Sequence, residues 1–394
     1  MSNVTVQHPS HSQVLIMAGG TGGHIFPGIA LAEALSSRGV SVSWLGCVNS
    51  MEQRITAANQ IAFHTIDVNG VRGKGLITKI KAPFMLIKAC MQAFKKIKTI
   101  TPQVVVGFGG FVSAPGGLAS KLLGIPLLIH EQNAVAGSSN KLLSRFSKKI
   151  FTAFPDVMPN AAWVGNPIRS SLKNIQHPNQ RAIASSNTRR VLILGGSRGA
   201  RFLNQNVASL IKKLSEALPS LRFVVRHQCG AGHSESTKAA YSNAGLTPLR
   251  AGSLEGASSK VTSSEPAPHI EVTEFIEQID KALGQADFVI CRAGASTVTE
   301  LCAVGVGSLL IPFPYGIDDH QTANARFAVS ANAALLYQER EWSQDSVAAA
   351  LIPLMESQDK LKSMAVNARK LSKTDAASEI ADHCLSLITG AGAK

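Results

Sequence analysis

One local pattern occurs twice in this chain, and it restricts the fold more than any other feature. The apolar run Val14 to Ala18 gives way to Gly19-Gly20-Thr21-Gly22-Gly23-His24, and an apolar-periodic segment follows from Ile25 to Leu35. The pattern restarts at Val191 to Leu194, continues through Gly195-Gly196-Ser197-Arg198-Gly199-Ala200, and passes into a helical segment from Phe202 to Leu218 that Pro219 stops. Strand, glycine turn and helix in that order predict a parallel α/β unit. Further short apolar runs end in polar or glycine-rich turns. Val104-Val105-Val106 meets Gly107-Phe108-Gly109-Gly110, Leu127 to Ile129 meets His130-Glu131-Gln132-Asn133, and Phe288-Val289-Ile290 meets Cys291-Arg292-Ala293-Gly294. Strands are also expected at Val40 to Leu45, Ile150 to Ala153, Leu221 to Val225 and Ser308 to Ile311.

A chain of 394 residues is too long for one ordinary core, and 45% apolar with 16% charged residues suits two well-buried ones. The expectation is an α/β protein with two Rossmann-like domains facing a cleft. Gly165-Asn166-Pro167 is read as the crossing between them. The first domain is placed at 1–166, the second at 167–358, and a helical segment at 359–394 is expected to return toward the first. The stretch from Asn243 to Pro268, rich in Ser, Gly and Ala, reads as a surface loop.

Six scattered cysteines without a C-x-x-C pair read as reduced thiols. The first thirteen residues are polar, so no secretory signal is expected, and no apolar run reaches the length of a membrane span. The net charge of +14 is uneven. Residues 1–168 hold fifteen Lys/Arg against five Asp/Glu, and the stretch between Asp67 and Glu131 holds nine basic residues and no acid. Such asymmetry calls for an anionic partner. With 5% aromatics and no recognition motif, nucleic acid is set aside. Leu76 to Ile100 mixes bulky apolar residues with six lysines, which suits an amphipathic helix lying on an anionic membrane surface with Phe84, Leu86, Ile87 and Phe94 facing outward, started or broken at Pro83; the alternative is a core-packed helix with a solvated basic face.

Glycine turns at helix starts hold anions, because backbone N–H groups approach closely and the helix dipole favours negative charge. Neither turn is a P-loop, since G-K-[ST] is missing, and neither is G-x-G-x-x-G. The second strand ends in Leu45-Gly46 with no carboxylate for a ribose, which argues against a nicotinamide cofactor. Taken alone, each loop is as readily a tight turn as a phosphate site. His24, at the positive end of a helix, is a candidate base held neutral, and equally a packing residue. Glu300, on the helix begun by Gly294-Ala295-Ser296-Thr297, could accept bonds from sugar or ribose hydroxyls, although a carboxylate so placed is usually a solvated helix charge. Asp319-His320-Gln321 with Asn324 follow the strand at Leu309 to Ile311, at whose end open α/β sheets bind ligands. No D-x-D occurs, so a leaving diphosphate is expected to meet helix termini and Arg169 or Arg292 in place of a metal.

These motifs, in this order, resemble the bacterial lipid I N-acetylglucosaminyltransferases, the MurG family, over nearly the whole chain. The resemblance rests on the two glycine turns, Gly107-Phe108-Gly109-Gly110, His130-Glu131-Gln132-Asn133, Gly165-Asn166-Pro167-Ile168-Arg169, His227-Gln228, Val272-Thr273-Glu274-Phe275-Ile276, Arg292-Ala293-Gly294 with Thr297 and Glu300, and Asp319-His320-Gln321 with Asn324. It implies a GT-B fold and an inverting, metal-free, cofactor-free transfer of GlcNAc from UDP-GlcNAc. The acceptor is the MurNAc 4-hydroxyl of undecaprenyl-pyrophosphoryl-MurNAc-pentapeptide, on the cytoplasmic face of the inner membrane. It also implies His24 as base, with Glu131 as the second catalytic candidate. Thr21, Gly22, Gly23 and Asn133 fall on the acceptor side. Arg169, Ser197, Ile276, Arg292, Thr297, Glu300 and Gln321 fall on the donor side. Arg198 departs from the family's usual Gln. A UDP-GlcNAc 2-epimerase of similar fold is the rival, and the basic, apolar segment at 76–100 speaks against it.

Overall fold

The computed structural model describes residues 12–68, 76–181, 187–196, 199–249, 252 and 267–390, with the side chains of 76–82 and 317 outside that set. Ser197, Arg198, the basic loop Arg72 to Gly75 and most of the Ser-rich stretch lie outside the described residues. The chain divides into two compact units. One comprises Met1–Ser170 with Lys373–Lys394, the other Ser171–Ser372.

The first unit carries β1 (Gln13–Ala18), β2 (Ser41–Cys47), β3 (Ala62–Ile66), β4 (Val104–Gly109), β5 (Leu127–Glu131), β6 (Lys149–Thr152) and β7 (Ala162–Trp163). They form one sheet in the order β3-β2-β1-β4-β5-β6-β7, and every pairing is parallel. Helices α1 (Gly22–Ser36), α2 (Met51–Ala58), α3 (Leu76–Ile100), α4 (Ser113–Leu122) and α5 (Ser138–Leu143) make the crossovers. Parallel strands need such crossovers and are buried on both faces. The fully buried runs Val14 to Ala18 and Val104 to Val106 are the consequence.

The helix α6 (Ser170–Lys173) leads into the second unit. Its strands are β8 (Thr188–Leu194), β9 (Arg222–Gln228), β10 (Pro248–Leu249), β11 (His269–Thr273), β12 (Phe288–Cys291), β13 (Gly307–Leu310) and β14 (Ala334–Leu336). Their order is β10-β11-β9-β8-β12-β13-β14, again all parallel. The helices are α7 (Arg201–Ala217), α8 (Ser234–Asn243), α9 (Ile279–Gln285), α10 (Ala295–Val304), α11 (His320–Ser330), α12 (Gln344–Glu356) and α13 (Gln358–Lys370). The last helix, α14 (Ala376–Ile388), belongs to the first unit, where Ala376, Ile380, Ala381 and Cys384 join the core beneath α1.

Two local expectations are corrected. Pro83 does not start or break a helix. It lies inside the 25-residue α3, because a missing N–H removes one hydrogen bond from a helix whose C-terminal half is packed into the core through Ala93, Ile97 and Ile100. Phe94, read as facing outward among the lysines, packs instead against the core beside Ala93 and Ile97. Among the described side chains of α3, the large apolar ones that face outward are Phe84, Leu86, Ile87 and Met91, from 40% to 74% exposed.

Among the described residues, each unit buries one histidine. His130 Nε2 donates to the Gly165 carbonyl at 2.8 Å, and its Nδ1 accepts from Gln132 at 3.0 Å. His227 bonds Asn204 at 3.1 Å and the Tyr241 hydroxyl at 3.0 Å. Burial pushes these imidazoles down from 6.5 to about 4 and about 3 respectively. The unfolded chain therefore binds protons below pH 6.5 that the folded chain does not. Stability is complete above that pH and is lost on acidification toward pH 4, by about 1.4 kcal/mol per pH unit per histidine. Urea unfolding across pH 4–7 is expected to show this slope, and His130→Gln to flatten the part that belongs to the first unit.

Candidate active site

In an open parallel sheet, ligands bind beyond the carboxyl ends of the strands where the order reverses. The reversal lies between β1 and β4 in the first sheet and between β8 and β12 in the second. Glycine-rich loops stand at both points.

In the first unit the register between β1 and β4 shifts after Met17↔Gly107, so that Ala18 pairs with Gly109. Gly110 has φ +82, and a Cβ there would sit 2.3 Å from the Gly19 carbonyl oxygen. Only glycine permits that approach. The buried Ser113 hydroxyl stitches the ends together. It donates to the Gly109 carbonyl at 2.7 Å and accepts from the Gly109 N–H at 3.0 Å. Thr21 caps α1 with extended backbone, its side chain exposed, and Gly22 and Gly23 form the first turn. His24 Nδ1 lies 3.1 Å from the Gly19 carbonyl and 3.3 Å from the Thr21 hydroxyl. A carbonyl only accepts, so this contact selects the tautomer with the proton on Nδ1 and the lone pair on Nε2. The Nε2 edge faces Gly109, where a Cβ would lie 3.3 Å from it.

Glu131 is buried, and its carboxylate is committed. One oxygen accepts from the Asn133 N–H at 3.0 Å and the Asn133 amide at 3.4 Å, the other from the Gly137 N–H at 3.0 Å and Asn140 at 2.8 Å. It ties the loop after β5 to the start of α5. Arg169, expected with the donor residues, lies in the first unit with its guanidinium 5.0 Å above the Phe26 ring. The exposed rings of Phe26 and Phe111 border the glycine turn, since Cβ atoms on Gly22 and Gly20 would meet them at 3.0 Å and 3.9 Å.

In the second unit Gln228 knits the loop ends. It accepts from the Gly196 N–H at 2.9 Å and donates to the Gly196 and Glu274 carbonyls at 3.1 Å and 2.8 Å. Ile276 follows, 5% exposed. Gly294 caps α10, placing Thr297 in its first turn and the half-buried Glu300 in the next. Gln321 opens α11, its carbonyl oxygen accepting from the Phe313 N–H at 2.9 Å. Asn324 donates to the Ala293 carbonyl at 3.2 Å and so joins α11 to the turn before α10. Asp318 and Asp319 have φ of +54 and +47, a costly left-handed pair at the entrance to α11.

Arg292, a candidate diphosphate ligand, is otherwise engaged. It donates to the Ile311 and Pro312 carbonyls at 3.2 Å, pairs with Glu339 at 2.5 Å, and lies against the Phe202 and Phe313 rings. A cavity of about 130 Å³ at the opposite edge of this sheet is lined by Arg181, Arg189 and Arg190. Arg181 and Arg189 satisfy the last carbonyls of α10 and α12, and Arg190 pairs with Asp287 at 2.9 Å. Among the described residues, no group of three or more His, Cys, Asp or Glu is placed to hold a metal.

Sequence reasoning passed over Ser113, Asn140 and Glu52, the last a 1%-exposed carboxylate behind the first glycine turn. The only signal for them was position after a strand.

Two all-parallel sheets, each with a glycine-rich loop at its switch point, are the layout of a GT-B glycosyltransferase. Residues 14–152 match the glycosyltransferase family 28 N-terminal domain, and residues 190–380 match the C-terminal domain of that family. The chain is 43% identical over 381 residues to the UDP-N-acetylglucosamine–N-acetylmuramyl-(pentapeptide) pyrophosphoryl-undecaprenol N-acetylglucosamine transferase of Saccharophagus degradans, covering 95% of this chain and 92% of that one. It is 41% identical to the transferase of the same name from Burkholderia pseudomallei, covering 94% and 95%. Its fold matches the crystal structure of Acinetobacter baumannii MurG with a TM-score of 0.77, at 37% identity, covering 95% and 99%. The chain belongs to this transferase family, the MurG family. A putative UDP-N-acetylglucosamine 2-epimerase from Listeria monocytogenes shares the fold alone, at 12% identity and a TM-score of 0.62.

The engagement of Arg292 yields a prediction. Arg292→Ala is expected to lower the unfolding free energy by about 2–3 kcal/mol, because it strands Glu339 and two carbonyls. Urea unfolding measures this. An unchanged midpoint with weakened UDP binding would make Arg292 a ligand residue after all.

Proposed function

We propose that this chain transfers GlcNAc from UDP-GlcNAc to the 4-hydroxyl of MurNAc in undecaprenyl-pyrophosphoryl-MurNAc-pentapeptide, with inversion, giving lipid II. The observation that carries the reading is identity above 40% across about 95% of the chain to transferases of that name. The reaction needs one base and one stabilised leaving group. The acceptor oxygen attacks the anomeric carbon, the bond from that carbon to the β-phosphate oxygen breaks, and UDP departs with the electron pair. The hydroxyl proton passes to His24. The Nδ1–H bond to the Gly19 carbonyl supports this role, since it leaves the accepting lone pair on Nε2.

The amides of Thr21, Gly22 and Gly23, at the start of α1, receive the acceptor pyrophosphate. Asn133 borders the same side. Glu131, with both oxygens held by N–H donors, shapes the loop and leaves the proton transfer to His24. On the donor side Ile276 meets the uracil, Glu300 the ribose hydroxyls, and Gln321 the GlcNAc hydroxyls through the amide NH₂ it has to offer. Ser197 and Thr297 meet the diphosphate at the start of α10 and the glycine loop after β8. Charge on the departing UDP is met by those helix termini and amides, and the chemistry needs no metal or other cofactor.

The acceptor's lipid tail stays in the bilayer, so the first unit works at the membrane surface. No helix among the described residues is long and apolar enough to cross a membrane. The outward Phe84, Leu86, Ile87 and Met91 of α3, with Lys88, Lys95 and Lys96 exposed beside them, suit peripheral attachment to anionic lipid on the cytoplasmic face.

Incubation with UDP-GlcNAc and a lipid I analogue is expected to yield the disaccharide product, in EDTA as well as without it. Free ManNAc or UDP-ManNAc in its place would mark an epimerase. His24→Ala is expected to lower turnover by roughly 10²–10⁴-fold with donor affinity intact. For the membrane, vesicle binding should rise with anionic lipid and fall with salt. Replacing Lys88, Lys95 and Lys96 by Glu should weaken binding sharply and spare activity on a short-chain, water-soluble acceptor. Parental binding by that variant would remove α3 as the docking face.

A further inference from the structure

Glu52 lies in the first turn of α2, 1% exposed. One carboxylate oxygen accepts from the Cys47 N–H at 3.1 Å. The other faces the Gly20 N–H at 3.5 Å. A Cβ on Gly19 would lie 3.0 Å from the first oxygen, so the carboxylate is packed directly behind the glycine turn.

The Gly20 N–H and the Gly19 carbonyl belong to one peptide unit, which is planar and polarises as a whole. Its carbonyl receives the His24 Nδ1 proton at 3.1 Å. The order in space is carboxylate, amide N–H, carbonyl, imidazole. In the familiar carboxylate–histidine pair the carboxylate holds the tautomer directly and stabilises the imidazolium that forms on proton transfer. Here one peptide group stands between them.

We propose that Glu52 is a positioning residue for His24, acting through the Gly19–Gly20 peptide. Its negative charge draws the amide N–H end of the dipole and makes the Gly19 carbonyl a stronger acceptor. That fixes the Nδ1–H tautomer and raises the basicity of Nε2. At 3.5 Å the link from Glu52 is long for a hydrogen bond, so the effect is carried by the charge of a carboxylate that is itself 1% exposed, acting on the dipole of the adjoining peptide. As the hydroxyl proton arrives at Nε2, the imidazolium gains a partner whose polarisation is already in place. Gly46 is part of the same fit, since a Cβ there would meet the Glu52 side chain at 2.9 Å. This role rests on the reading of His24 as the base.

Glu52→Gln keeps the shape and an accepting oxygen but removes the charge. The expected result is a fall in kcat on the order of 10–100-fold, the size typical of lost orientation behind a reacting group. KM for UDP-GlcNAc should stay within about twofold, because only the first unit is altered. The acid limb of the kcat/KM profile should move to lower pH, since the imidazolium has lost its support. A Glu52→Gln variant with the parental melting temperature, parental kcat and an unmoved acid limb would overturn the proposal, provided His24→Ala is inactive. Parental turnover by His24→Ala would instead overturn the assignment of the base. Should Glu52→Gln not fold, ¹⁵N NMR of the unaltered protein decides. At a pH where His24 is neutral, protonated Nδ1 and unprotonated Nε2 are expected, and the opposite tautomer would overturn the proposal.

Discussion

The contact on which the first unit's chemistry depends is a backbone against a backbone. The loops after β1 and β4 meet so closely that a single methyl on Gly110 would fall 2.3 Å from the Gly19 carbonyl oxygen. Parallel order forces both strands to end on the same edge of the sheet, and the reversal of order opens a space between their following helices. Glycines on both loops let the main chain close that space. The Gly19 carbonyl is then held in place to receive His24. Ser113 and Glu52 hold the two loops from beneath, one through β4 and the other through α2.

The second unit uses the same device, since a Cβ on Gly199 would fall 2.4 Å from the Cys229 carbonyl oxygen. Gln228 takes the part that Ser113 plays in the first, binding the glycine loop to the neighbouring strand end. Arg292 and Glu339 brace the turn before α10 against α7 and the loop after β13. The turn before α10 is thereby tied to segments remote in sequence. The buried His227 ties β9 to α8 through Tyr241 and to α7 through Asn204, where loss of a partner would leave polar atoms stranded.

Much of this was legible in the sequence, for reasons that particular residues make plain. Apolar runs such as Val104 to Val106 announce strands covered on both faces, and glycine clusters announce the loops that end them. His24 was visible because it sits inside such a cluster. Glu52 was not, because in sequence it is one carboxylate on an ordinary amphipathic helix, and only the fold brings α2 behind the glycine turn. The partners of Arg292 were hidden for a similar reason. A cation beside a glycine at a strand end suggests a phosphate ligand, yet tertiary contacts supply Glu339 and two carbonyls from segments remote in sequence. Arg169 likewise follows the crossing motif but packs on Phe26 of α1. The helix α3 was recognised as amphipathic, and only its burial pattern separates the outward Phe84 from the inward Phe94.

The central claim is that the glycine-on-backbone approach builds the reacting site of the first unit while the donor is held by the second. Gly110→Ala tests it most directly, with turnover and UDP binding measured on the same folded sample. A displaced loop misplaces His24 by something near an ångström, which costs about 10²-fold in rate. The account predicts that loss, together with UDP affinity unchanged within about twofold. Parental turnover by a folded Gly110→Ala protein would contradict it.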